Sequence, residues 1–538
     1  MEKQTAFSRE SAWRLIPVLV AMALPLAGCD DGADGSDGAT ALVHADSEPP
    51  GENCPWGGRR LDAGTDDNGN GKLDPGEVVT TEYLCARGAA SFSGVTYQTS
   101  EEGTASGLYA TDGEGNNTRW LDATASDQGR FGTRMLLSPD GRYLAYSRGR
   151  SGQERLFVQS LVEDRAPVQV TPEALPHAAN VYHFEWTEDG DRLLYSMDIK
   201  ADNAYDIYAV PPEGRPRVHM TELMLYQGAA EFALSPDGSQ LAYIGDRTSQ
   251  QNELYVRDLE SGSVTRVNGD LATDGEVKDF AWAPDGSRIA FTAEEAAQGS
   301  VELFTALPDG SARVRLNDDL PASGRVWWGF RWAPDGSRIA YRLDDGDQDH
   351  LRTVAPDGTD RVAVSAGFPS GAEGVSSFRW LADSSGLVWS ADARTADRFE
   401  LFTAGVRGGD RRRLSGELAG GQGDVQDIHP GPTGERVAYR AAERKAGTIE
   451  PYIVDLDGGE PTRIGPEVVD DGFAGSVTWV DEQRLLVVTP TRSKFIQDLY
   501  LIDRGNAETI RLTPPATGNA RFVSSVRHHG LLEGGAGE

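Results

Sequence analysis

The sequence predicts an all-β chain: a single large β-propeller of eight or nine four-stranded blades. A signal peptide, an acidic linker and a small disulfide-closed calcium-loop module precede it. Three observations carry this expectation. A motif returns every 48 to 50 residues over most of the 538 positions. Each copy centres on a Pro-Asp-Gly turn, with apolar and polar residues alternating at period two on both sides, the pattern of a β-hairpin. Glycine is abundant (63 residues), as a chain with many tight turns requires.

In chain order, residues 1–28 read as a secretory signal. Lys3, Arg9 and Arg14 supply a basic start, and residues 15–26 form an apolar stretch too short for a comfortable membrane span. Leu26-Ala27-Gly28-Cys29 resembles the bacterial lipobox. The resemblance implies cleavage before Cys29 and diacylation of its thiol, and stable anchoring takes more than one acyl chain. The expected location is therefore the bacterial cell envelope, at the inner or outer membrane, on the periplasmic or surface side. Residues 29–52 carry seven acids and no Lys or Arg, and are expected to be a disordered, self-repelling tether.

Residues 53–90 are expected to form the calcium module. Asp66, Asn68, Asn70, the Lys72 carbonyl, Asp74 and Glu77 fall at EF-hand-type loop positions, with Gly71 at the sharp turn. Calcium wants six to eight hard oxygen donors, which this set supplies with Glu77 closing the shell. The flanks read as strand rather than helix. Cys54 and Cys85 bracket the loop, and export into an oxidising space favours a bridge between them. Such a bridge contributes about 3–4 kcal/mol in the chain-entropy model. The string from Cys54 to Cys85 resembles a small module of lipoproteins from myxobacteria and their relatives, and the resemblance implies no activity.

The body spans residues 91–527, with 528–538 expected to be a disordered tail. Its turns are Ser138-Pro139-Asp140-Gly141, Glu188-Asp189-Gly190, Ser235-Pro236-Asp237-Gly238, Ala283-Pro284-Asp285-Gly286 and Ala333-Pro334-Asp335-Gly336, with weaker copies after them. Before each turn comes an aromatic or apolar residue (Phe184, Phe232, Phe280, Phe330, Phe378) and often a Trp (Trp186, Trp282, Trp332, Trp380, Trp479). Core packing between blades accounts for that series. Residues 94–98 and 107–121 read as three strands lacking an innermost one, and residues 520–526 as a spare strand that would complete them and close a ninth blade. Eight blades with a stray hairpin is the other reading. These motifs resemble the repeats of TolB-type propellers, also found in the propellers of prolyl-oligopeptidase-like enzymes. That resemblance implies the fold and a generic binding role; TolB's own N-terminal domain has no counterpart in residues 30–90.

With 84 acidic against 51 basic residues, the formal charge is −33, which repels phosphate and excludes nucleic acid as a partner. The expected partners are the membrane, through the N-terminal lipid, and an envelope protein or glycan. His183, Asp279 and Asp427, just before the innermost strands, would ring the channel mouth. Trp327-Trp328 offers a sugar- or peptide-stacking pair, or else buries against Phe330. The alternative function is a propeller lyase or hydrolase acting in the channel. Against it, the eight His are scattered and no Gly-x-Ser-x-Gly elbow is present.

Overall fold

The computed structural model describes residues 40–48, 58–85 apart from Gly69 and Gly71, and 94–529 apart from Trp328 and short connecting stretches, the longest being 222–230. The expected signal peptide, Cys29, Cys54 and residues 530–538 lie outside the described residues. The chain divides into two compact units, Met1–Ala90 and Ser91–Glu538. Every regular element among the described residues is a strand.

The first unit holds a three-stranded antiparallel sheet, β1 (Thr40–Glu48), β2 (Gly58–Asp66) and β3 (Val78–Cys85), in that order. This corrects the reading of residues 29–52 as tether throughout: Thr40–Glu48 pairs residue for residue with β2. The calcium-type loop is the connection between β2 and β3. Gly58 lies opposite Cys85 at the far end of that hairpin.

In the second unit the turn sets the architecture. The Ser138 carbonyl accepts the Gly141 N–H at 2.8 Å, and the Asp140 carboxylate takes the Ser138 hydroxyl and the Arg142 N–H. Gly141 sits at φ 70°, and Gly190, Gly238, Gly286, Gly336 and Gly434 share that left-handed geometry. A side chain there would be strained, which is why the motif keeps its glycine. Neighbouring turns touch around the ring: the Asp335 N–H donates to the Ser384 hydroxyl of the next copy at 3.1 Å.

Nine four-stranded units result among the described residues. Seven follow one another over residues 130–463. The eighth begins at Ser476–Trp479. The ninth takes its inner strand, Arg521–His529, from the far end of the chain and pairs it antiparallel with Gly94–Glu101. Ser106–Thr111 and Arg119–Thr124 complete that blade. The closing strand runs through His529 and so takes in the first two residues of the expected tail. In the fifth blade the inner strand is broken into Arg325–Val326 and Arg331–Trp332, both paired with Ile339–Asp344. Trp327 falls in that break.

Each blade is built on one rung of cross-strand partners. In the fourth, Phe280 faces Phe291, Phe291 faces Phe304, and Phe304 faces Arg315. The two middle rings stack at 5.5 Å. Tyr195–Tyr208, Tyr243–Tyr255, Trp389–Phe402 and Tyr439–Tyr452 repeat this at 5.6–6.1 Å. The outer guanidinium then meets a buried acid: Arg266–Glu253 and Arg315–Glu302 at 2.8 Å, Arg413–Glu400 at 2.9 Å. Between blades, the tryptophans add a directional bond to their packing. Trp186, Trp282, Trp332, Trp380 and Trp479 each donate the indole N–H to a backbone carbonyl of the preceding inner strand, at 2.9–3.2 Å. Leaving those N–H groups buried without an acceptor would cost about 1–3 kcal/mol each.

Candidate functional site

Two places gather polar chemistry: the axis of the propeller and the loop between β2 and β3. By propeller geometry the first strand of each sheet lines the axial channel. Two residues per strand matter, those just before and just after the buried aromatic. The residues before it include Arg134, His183, Glu231, Asp279, Ser377 and Asp427. Those after it include Glu185, Arg331, Arg379 and His429. The structure thus places His183, Asp279 and Asp427 inside the inner strands, not ahead of them.

Several of these carboxylates tie one blade to the next. Asp279 Oδ2 accepts the Gly329 N–H at 2.9 Å, Asp427 Oδ2 accepts the Val477 N–H at 3.3 Å, and Glu185 Oε2 accepts the Leu234 N–H at 3.3 Å. Asp427 also bonds His429 at 2.8 Å and pairs with Arg440 at 3.1 Å. Burial pushes the Asp427 carboxyl up, but His429 and Arg440 outweigh it and hold the group below its ordinary value. Asp279 goes the other way, raised by burial despite the Gly329 bond. Glu231 is raised by burial and by the Asp279 charge beside it.

Among the inner-strand groups, those of blades one and two are the most perturbed. Arg134 Nη1 lies 3.2 Å from His183 Nδ1, and the His183 ring meets Phe232 edge-on at 4.7 Å. Burial, reinforced by Arg134, pushes the His183 imidazole down to about 3, so it is neutral at physiological pH. Burial pushes Glu185 up to about 7, more than the Leu234 bond and Arg134 bring it down. A carboxyl raised on folding contributes stability at low pH that is lost as pH climbs through the folded value. Glu185→Gln is therefore expected to melt at a higher temperature than the parent at pH 8 and at a similar one near pH 5; equal melting curves at pH 8 would refute the burial argument.

Trp327 is half-buried, and its indole N–H donates to Asp349 at 2.6 Å. Its ring lies under Arg325 at 3.9 Å and within 5.4 Å of Arg342, so guanidinium groups occupy its surroundings. Trp328 lies outside the described residues. Arg134, Glu185, Glu231 and Arg331 were not singled out in the sequence. Their shared offset from the repeat aromatic is the signal that finds them.

In the first unit, Asp74 Oδ2 receives both carboxamide N–H groups of Asn68 and Asn70 at 2.8 Å. These two bonds, Asn68's and then Asn70's, hold the Asp74 carboxyl below its usual value. Asp66 Oδ1 and Asn68 Oδ1 both accept the Asn70 N–H, and Asn70 Oδ1 accepts the Lys72 N–H. Glu77 uses both oxygens on the N–H groups of Asp67, Asn68 and Asp74. These bonds tie the loop together from Asp66 to Glu77. Among the described residues no group of three or more His, Cys, Asp or Glu is placed to share a metal, the loop's Asp66, Asp74 and Glu77 included. The Cys85 backbone ends β3, but its side chain lies outside the described residues.

A family described as a domain of unknown function (DUF7151) matches residues 41–85, the span of β1 to β3 with the loop. No curated protein matches the chain. Among solved structures, a eukaryotic initiation factor is similar with a TM-score of 0.52 and 14% identity, over 80% of this chain and 98% of that one. At that identity the likeness is one of fold. A putative TolB from Agrobacterium tumefaciens is 22% identical with a TM-score of 0.32, covering 51% of this chain and 89% of its own. An oligogalacturonate lyase from Vibrio parahaemolyticus is 16% identical with a TM-score of 0.39, covering 68% and 98%.

Proposed function

We propose that this is an exported, lipid-anchored binding protein of the cell envelope, using its propeller as a non-catalytic platform for a protein or glycan. One observation carries the reading: Glu185, Asp279 and Asp427, acids of the inner strands, are engaged in holding successive blades together. A wall stiffened in this way suits a rigid recognition surface. In the same reading Cys29 bears the lipid, and Cys54 and Cys85 are joined. The loop between β2 and β3 holds calcium through Asp66, Asn68, Asn70, Asp74, Glu77 and the Lys72 carbonyl. The donor set fits a hard cation, because it is all oxygen, with three carboxylates offset by two carboxamides. Bound calcium would supply the cross-link that a sheet of three short strands lacks.

Two measurements test this. Cys29→Ala is expected to move the protein from the membrane to the soluble fraction of expressing cells, and continued membrane association would sink the anchor. Calorimetry on the full mature chain is expected to show calcium binding that Asp66→Ala and Glu77→Ala abolish. A silent titration of the parent chain would remove calcium from the reading.

A further inference from the structure

The channel arginine of the first blade is short of acidic partners. Burial pushes the guanidinium groups of Arg134, Arg155, Arg342, Arg440 and Arg504 down from their ordinary value. Arg504 faces both Asp455 and Glu482, and three of the others are answered by oxygen. Arg155 donates to the Ala179 carbonyl at 2.9 Å and faces Asp198. Arg342 donates to the Val375 carbonyl at 3.0 Å and faces Asp349. Arg440 reaches the Ala474 carbonyl and Asp427.

Arg134 has no such partner among the described residues. Its hydrogen bond goes to a ring nitrogen of neutral His183, and its buried Nε has no partner. Glu185 attracts it only at a distance, because that carboxylate is bonded to the Leu234 N–H. Arg527, on the inner strand of the ninth blade, adds a second positive charge nearby rather than a negative one. In a chain of formal charge −33, this arc is locally cationic. A half-buried guanidinium without an oxygen partner, on a strand that lines the axis, is the arrangement of a site that takes its acceptor from a ligand.

We propose that Arg134, with Arg527 beside it, anchors the carboxylate of a ligand that enters the propeller along its axis. The guanidinium fork matches a planar two-oxygen acceptor. A singly charged group is favoured over a phosphate dianion, because Glu185 and Asp279 on the inner strands of blades two and four, and Glu231 just ahead of that of blade three, oppose further negative charge. The inference deepens the platform reading and rests on it, since it names the chemistry that the platform's axis recognises.

The test uses the full mature chain and two monocarboxylates, N-acetylglycine for a peptide terminus and glucuronate for an acidic glycan. Their uncharged partners, N-acetylglycinamide and glucose, and inorganic phosphate serve as comparisons. Binding is read by saturation-transfer NMR and by the shift in melting temperature. One acid is expected to bind and its neutral partner not, which identifies the source of the carboxylate. Arg134→Gln is expected to weaken that binding by about tenfold or more, Arg134→Lys by less, and the exposed Arg215→Gln not at all. Melting curves of the ligand-free variants confirm that they fold. Equal binding of acid and neutral partner, tighter binding of phosphate, or unchanged affinity in a folded Arg134→Gln chain would overturn the assignment while leaving a binding platform in place. Failure of both acids to bind the parent would overturn it as well, and the anchor and calcium tests would still decide the broader reading.

Discussion

A chain ending at residue 519 is expected to lose its single sharp unfolding transition and to begin melting at a lower temperature. The deleted strand is the inner strand of the ninth blade, and without it Gly94–Glu101 becomes an unpaired edge facing the axis. Val95 and Tyr97, now 1% and 0% exposed, would lose the cover of Val523 and Val526. The lock is electrostatic as well. Arg521 and Asp498 each have 1% side-chain exposure and bond one another, with Thr513 also donating to Asp498 at 2.8 Å. Removing one partner strands a buried charge, which costs about 3–5 kcal/mol. Arg521→Met alone should therefore cost about that much, and Arg521→Met with Asp498→Leu should recover most of it. Differential scanning calorimetry decides the matter. A truncated chain that melts in one transition at the parent temperature would show that the ring does not need its closing strand.

Trp389→Ala is expected to destabilise the protein by about 3–5 kcal/mol, while Trp389→Phe should cost little or nothing. Trp389 is the largest fully buried side chain, stacked on Phe402 at 6.1 Å in the core of the sixth blade. Truncation to Ala leaves a cavity in a sheet whose backbone is fixed by its neighbours. Phe is different for two reasons. The same position in the fourth blade is Phe291, so the rung accepts that shape. The Trp389 indole N–H is also buried without an acceptor, unlike that of the inner-strand tryptophans, so Phe removes an unmet polar group while losing some volume. Chemical denaturation of the two variants gives the comparison. Equal losses from Ala and Phe would mean that the ring's size, not its burial of a rung, decides stability.

The repeat was legible because its turn is local. Pro-Asp-Gly fixes a hairpin through bonds within five residues, and Gly141 or Gly286 announces it wherever it stands. Blade spacing followed, and so did the spare strand at residues 520–526. Other features depend on partners far along the chain and leave no local mark. Thr40–Glu48 carries His44, Asp46 and Glu48 and reads as polar linker, yet it is a strand because β2 lies beside it. Asp279 looks like one more loop acid, and its role appears only when the Gly329 N–H, fifty residues on, is brought to 2.9 Å. The break around Trp327 has the same origin. Gly329 takes φ 85° between Arg325–Val326 and Arg331–Trp332, two fragments brought into line by their shared partner Ile339–Asp344. Of the channel, the residues before the aromatic were partly visible as His183, Asp279 and Asp427; Arg134 was hidden because an arginine in a polar stretch is unremarkable until its surroundings are known to be short of oxygen.

The closing strand also sets a schedule for biosynthesis. Gly94–Glu101 leaves the ribosome about 400 residues before its partner Arg521–His529, which at ordinary elongation rates is a wait of roughly half a minute. Throughout that interval the first strands present an open edge, and the eight blades after them can form in order while the ring stays incomplete. Arg521–His529 is thus the strand that ends the exposure of Gly94–Glu101, so its arrival governs how long that edge of the nascent chain is open to aggregation.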